Sequence, residues 1–191
     1  MIIMRKMTDY ALKKEGVSIS SIESLVVSLG NKNPEVRREA REFLIARGNE
    51  AVPYLIAELS SPREHGRWEA AKALSEMKHH GSAEALVSAL HDESADVRWV
   101  AGEGLISLGT KSLEPLLREL AFHYDSVEFR TSATHVLHAL STLTSYDTIR
   151  PVLNALHKSI MSYEIPVAAY HAWQEMRDNL SRISSTERLY I

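Results

Sequence analysis

At 191 residues, 45% hydrophobic and 25% charged, the chain has the composition of an ordinary soluble domain with a core of its own. It contains no cysteine, which excludes disulfides, thiolate metal sites and a cysteine nucleophile. A formal net charge of -3 is too small for a surface built chiefly to neutralise phosphates.

The opening residues, MIIMRKM, lack the apolar run of about 7 to 15 residues that a secretory signal carries, and no later run approaches the roughly 20 residues that cross a bilayer. A cytoplasmic protein is expected. Residues 1–20, with Met7, Tyr10 and Ala11 on a short helix, are expected to form an N-terminal cap or tail.

From residue 21 one unit recurs five times. Each copy begins with an apolar triplet: Ile22, Leu25, Leu29; Val52, Leu55, Leu59; Ala83, Leu86, Leu90; Leu113, Leu116, Leu120; Ile149, Val152, Leu156. Spacings of three and four put each triplet on one face of a helix. A second helical segment follows each time, aligned on Arg37, Arg67, Arg98, Arg130 and Pro166, then on Ala40, Ala70, Ala101, Ala133 and Ala169, then on Leu44, Leu74, Leu105, Leu137 and Trp173. Each unit is therefore a helical hairpin, over about 21–48, 49–80, 81–109, 110–142 and 143–176. Residues 177–191 form the end of the last helix and a tail, to which Trp173, Met176, Leu180 and Ile183 lead.

Punctuation agrees with this division. Asn33-Pro34 and Ser61-Pro62 place a capping side chain before a proline at the first helical position, and Glu64 would complete a capping box with Ser61. Pro53, Pro115 and Pro151 fall near the starts of first helices, and Gly48 and Gly109 after the ends of second helices. Gly66 stands where other units carry Val36, Val97 and Phe129, which costs about 1 kcal/mol of helix propensity and predicts a locally loose second unit. A single hairpin cannot bury its apolar stripe, so the units stack into an all-α superhelix, a solenoid of about five hairpins around a continuous core.

A rotation of about 100° per residue divides the second helices into faces. Val97, Ala101, Leu105 and Leu108 share the core sector, and the column of Arg38, Trp68, Trp99, Thr131 and Val167 points nearly opposite. Glu42, Lys72, Glu103, His135 and His171, then Ile45, Ser75, Ile106, His138 and Gln174, share that outward sector. Trp68 and Trp99 should stand side by side there, with Ile45 and Ile106 adding apolar area, and an exposed apolar patch marks an interaction site.

The stretch ALVSALHDESADVRWVAGEGLISLG at 85–109 resembles the short HEAT-like repeats of phycobilisome lyase subunits, and the resemblance extends over about residues 21–176. It implies a solenoid whose second helices line a concave surface, and an inter-repeat ladder in which Arg37, Arg67, Arg98 and Arg130 meet acidic residues such as Asp92. It also leaves open a lyase-like or chaperone-like factor that holds a planar ligand such as a bilin. Two HEAT-like enzymes are disfavoured. Deoxyhypusine hydroxylase takes its metal ligands from His-Glu pairs after the arginine, where this chain has Arg38-Glu39, Trp68-Glu69, Trp99-Val100 and Thr131-Ser132. The alkylpurine glycosylases need a groove aspartate and more basic charge than Arg38, Lys72 and Lys78 supply.

His135 and His138 lie three apart on one outward face, with His171 as the counterpart of His135 in the next unit; solvated or groove-lining roles are favoured over a metal site. No catalytic motif is present. The expectation is a non-catalytic scaffold without cofactor or metal that binds another protein, not membrane or nucleic acid, through Arg38, Glu42, Ile45, Trp68, Lys72, Trp99, Glu103, Ile106, His135 and His138.

Overall fold

The computed structural model describes residues 21–142, 146–158 and 163–187. Among the described residues there is no strand, and the α-helices are α1 (Ile22–Leu29), α2 (Pro34–Arg47), α3 (Val52–Glu58), α4 (Glu64–Met77), α5 (Ala83–Ser88), α6 (Ala95–Leu108), α7 (Leu113–Phe122), α8 (Val127–Leu140), α9 (Tyr146–Lys158) and α10 (Glu164–Glu187). The N-terminal cap expected over residues 1–20 lies outside the described residues, as do the side chains of Leu180 and Ile183.

The apolar triplets form the core. Leu25, Leu29, Leu55, Leu86, Leu90, Leu113, Leu116 and Leu120 are fully buried, as are the alanine column and Leu44, Leu74, Leu105 and Leu137 of the second helices. Each buried leucine contributes roughly 1.5–3 kcal/mol relative to exposure, but only once a neighbouring hairpin covers it. Alanine at the closest approach lets second helices pack on one another, so α2, α4, α6 and α8 form one layer in sequence. On the other side α1 meets α3, and α5 meets α7.

The arginine column explains how the turns inside the hairpins are held. Arg37 Nη1 donates to the carbonyls of Asn31 and Lys32, Arg67 Nη1 to Ser61, Arg98 Nη1 to Asp92 and Glu93, and Arg130 Nη1 to Tyr124 and Asp125. These carbonyls follow a helix end and have no helical donor, so one cation satisfies each connection.

The fifth hairpin departs from the column alignment. Its second helix, α10, packs on α7 of the first-helix layer, and its first helix, α9, lies beside α8. The two layers are exchanged. Trp173 on α10 donates from Nε1 to Glu114 Oε1 of α7 at 3.4 Å and meets Phe122 of α7 edge-on, with ring centroids 5.9 Å apart. Tyr170 makes a second edge contact with Phe122 at 6.3 Å, and Arg177 lies over the Trp173 ring at 5.1 Å. The physical reason is in the residue types: where the earlier units present alanine and leucine, α10 presents an aromatic cluster that finds its partner on α7. The columns of the second helices therefore end at α8, and Val167, His171 and Gln174 do not extend them.

Three local expectations are corrected. The helix after Ser61-Pro62 begins at Glu64 rather than at the proline, and no capping box forms; Ser61 Oγ instead accepts from the Arg63 amide at 3.3 Å. Arg63 reaches back to the Val27 carbonyl and to Glu58, which draws the chain away from a cap at Ser61. Pro151 lies inside α9 rather than near its start. The position of the missing side chain at Gly66 is not left open: a Cβ there would lie 2.1 Å from Glu58 Oε1, so a buried carboxylate fills that space. Gly48 and Gly109 do follow α2 and α6, at φ of 61° and 64°, the left-handed region that glycine adopts without strain.

Candidate functional site

Trp99, on the outward side of α6, is 59% exposed, a large apolar area for a side chain in a folded domain. Its indole stacks on the His135 imidazole of α8, with centroids 4.8 Å apart and planes inclined by 26°. His135 Nε2 lies 3.0 Å from Glu103 Oε1 of α6, so the imidazole is held from both sides. The carboxylate that fixes this histidine stands four residues after Trp99, one turn along the same helix.

Between α6 and α8 this arrangement borders an open cavity of about 330 Å³, lined by Ala95, Arg98, Trp99 and Gly102 on one side and by Val127, Glu128, Thr131, Ser132 and His135 on the other. Thr131 stands where the preceding units carry Trp99, Trp68 and Arg38, and its small side chain leaves the space into which Trp99 opens. Several polar groups of the lining are engaged locally. Thr131 and Ser132 hydroxyls donate back to the carbonyls of Val127 and Glu128, and Arg98 clamps its turn. Glu128 accepts from its own backbone N–H and from Ser126, which holds its carboxyl below the usual range, with Arg98 and Arg130 nearby adding to the effect. The exposed apolar surface at the cavity is the open face of Trp99 and the half-exposed Val127.

The other outward residues are placed differently. Trp68 is half-buried and packs against the core, and it lines a separate hollow of about 220 Å³ with Arg37, Glu64, His65, Glu69 and Asp96. The two tryptophans thus face different spaces rather than one shared patch. The cause is the neighbour: Trp99 is followed across the layer by Thr131, whereas Trp68 is followed by the helix that carries Trp99 itself. Ile45 and Ile106 are partly buried against the core and add little exposed apolar area. Arg38 pairs with Glu35 and lies 3.8 Å from Glu42 along its own helix, and Lys72 pairs with Glu76 at 3.7 Å. His138 is exposed and faces His157 of α9, not His171.

The four arginines of the expected ladder divide. Arg67 Nε and Nη2 grip both oxygens of Asp92, at 2.7 and 2.9 Å, and Nη2 also reaches Glu93. Arg37 lies 3.4 Å from Glu69, a buried carboxylate that Arg41 also holds at 2.6 Å. Arg98 and Arg130 serve their turn carbonyls. Arg67 is raised further in pKa, first by its hydrogen bond to Asp92.

Residues 22–106 match the family of HEAT repeats. That match spans the first three hairpins, and the described residues of the chain are all-α, stacked as helical hairpins. Among solved structures, the crystal structure of an engineered protein is similar over 82% of this chain and 79% of that chain, at 20% identity and a TM-score of 0.39. No curated protein matches. HEAT repeats generally serve as protein-interaction scaffolds, and no helix among the described residues is long and apolar enough to cross a membrane.

Proposed function

We propose that this chain is a non-catalytic scaffold that binds a partner protein through the face formed by α6 and α8, with one apolar or aromatic side chain of the partner laid on the open face of Trp99. The observation that carries this reading is an exposed tryptophan stacked on His135 beside an open cavity. An apolar side chain displaces water from surface that makes no other use of it. The stack and the Glu103 bond restrict the indole before binding, which lowers the entropic cost of ordering the anchor. Charged residues farther along the same layer, Arg38, Glu42 and Lys72, stand at the rim of this face and choose among partners more than they hold them.

The test is affinity capture with the intact chain and with Trp99→Ala, Thr131→Trp and Phe122→Ala variants. Thr131→Trp fills the cavity without removing the anchor, and Phe122 lies on a different layer. Specific partners should be lost with the first two and kept with the third. Capture that is unaffected by both Trp99→Ala and Thr131→Trp would rule this face out.

A further inference from the structure

His138 and His157 are exposed and come from different hairpins, yet their Nε2 atoms lie 3.1 Å apart, with ring centroids at 5.0 Å and planes inclined by 38°. They meet because the fifth hairpin exchanges its layers and sets α9, rather than α10, beside α8. We propose that this pair is a surface site for a divalent transition metal of the imidazole-binding class, Ni²⁺, Cu²⁺ or Zn²⁺, and that the bound ion ties the fifth hairpin to the fourth. The proposal is independent of the partner-binding reading above.

The separation is what the chemistry requires. Metal–nitrogen bonds of about 2.0–2.1 Å meeting at roughly 90–109° hold two imidazole nitrogens about 2.9–3.4 Å apart. The two rings therefore need to turn about their own side-chain bonds to aim both lone pairs at one ion, and the helices need not move. Two N–H groups cannot face one another at this distance, so at least one Nε2 already presents a lone pair. Both side chains border solvent, which leaves room for rotation and for water in the remaining coordination positions. Among the described residues no group of three or more metal-ligating side chains converges, so the protein contributes two ligands and water the rest. That set suits borderline cations that prefer imidazole; calcium and magnesium, which demand several oxygen ligands, are excluded by it. Because the two histidines approach one another only when α9 is docked on α8, the ion binds the folded form and raises its stability by mass action.

The experiment is calorimetric titration of the full, untagged chain with nickel chloride near neutral pH, for the wild type, His138→Ala, His157→Ala and His171→Ala, each with a thermal melt in the presence and absence of the ion. His171 is an exposed histidine on α10 that does not belong to the pair. The expected result is one site in the wild type and in His171→Ala, weakened roughly tenfold or more in each of the other two. Nickel should also raise the melting temperature of the wild type and of His171→Ala alone. Isotherms and nickel-induced melting shifts for His138→Ala and His157→Ala that match the wild type would overturn the site.

Discussion

Arg67 of the second hairpin and Asp92 of the third are joined by two parallel hydrogen bonds, Nε to Oδ2 at 2.7 Å and Nη2 to Oδ1 at 2.9 Å, while the same guanidinium closes its own turn through the Ser61 carbonyl. The planar fork meets both carboxylate oxygens, and both side chains are nearly buried. Removing Asp92 leaves the nearly buried guanidinium with only the turn carbonyl and the exposed Glu93 carboxylate. Asp92→Ala should therefore destabilise the chain by about 3–5 kcal/mol in denaturant unfolding. Arg67→Lys should recover little, because an ammonium cannot serve the carboxylate and the turn carbonyl with the same geometry. A loss under about 1 kcal/mol for both would place the pair among solvent-screened surface bridges.

At Gly66 helix propensity and packing pull in opposite directions. Alanine is favoured over glycine by about 1 kcal/mol in a helix interior, but the new Cβ would lie 2.1 Å from Glu58 Oε1. Overpacking costs roughly 1–3 kcal/mol, so Gly66→Ala should be neutral to destabilising in the wild type. In a Glu58→Ala background the clash is gone, and the same substitution should stabilise. Equal effects in the two backgrounds, measured by chemical denaturation, would show that Glu58 does not occupy that space.

The two tryptophans should separate in solution. Trp99→Ala is expected to change stability by about 1 kcal/mol or less, since little beyond the His135 stack is lost. Trp68→Ala should cost roughly 3 kcal/mol, the low end for deleting a core aromatic. Iodide quenching with single tryptophan-to-phenylalanine variants gives an independent reading: most of the quenchable, red-shifted emission should vanish with Trp99→Phe, not with Trp68→Phe or Trp173→Phe.

The exchanged fifth hairpin predicts an energetic coupling that regular stacking would not produce. Phe122 of α7 and Trp173 of α10 touch edge-on, so a double-mutant cycle with Phe122→Ala and Trp173→Ala should give an interaction of about 0.5–1.5 kcal/mol. If α10 instead continued the layer of α8, the two rings would be apart and the effects would add.

The division between what was legible and what was not follows from the range of the interactions. Leucine triplets at spacings of three and four, alanines at the helix contacts and glycines after α2 and α6 report forces that act within one helix or between a hairpin and its neighbour. They identified the helical hairpins and the repeat from residues alone, and they put Trp99 on the outward face. Other features depended on which surfaces met. The resemblance implied that the arginine column is a charge ladder, yet all four members serve turn carbonyls and only Arg37 and Arg67 also meet a carboxylate of the next hairpin, because backbone acceptors carry no side-chain signature. Trp68 and Trp99 occupy the same column, and only the residue across the layer, a helix bearing Trp99 in one case and Thr131 in the other, made one of them half-buried and the other open. Extending the columns into the fifth unit assumed that its helices keep their order. The aromatic residues at Tyr170 and Trp173 were the visible departure from that pattern, but the partner that made them decisive, Phe122, lies some fifty residues earlier on another helix. Local periodicity thus determined the repeating unit, while side-chain complementarity between distant segments decided how the last unit docks, which histidines meet and where the surface remains open.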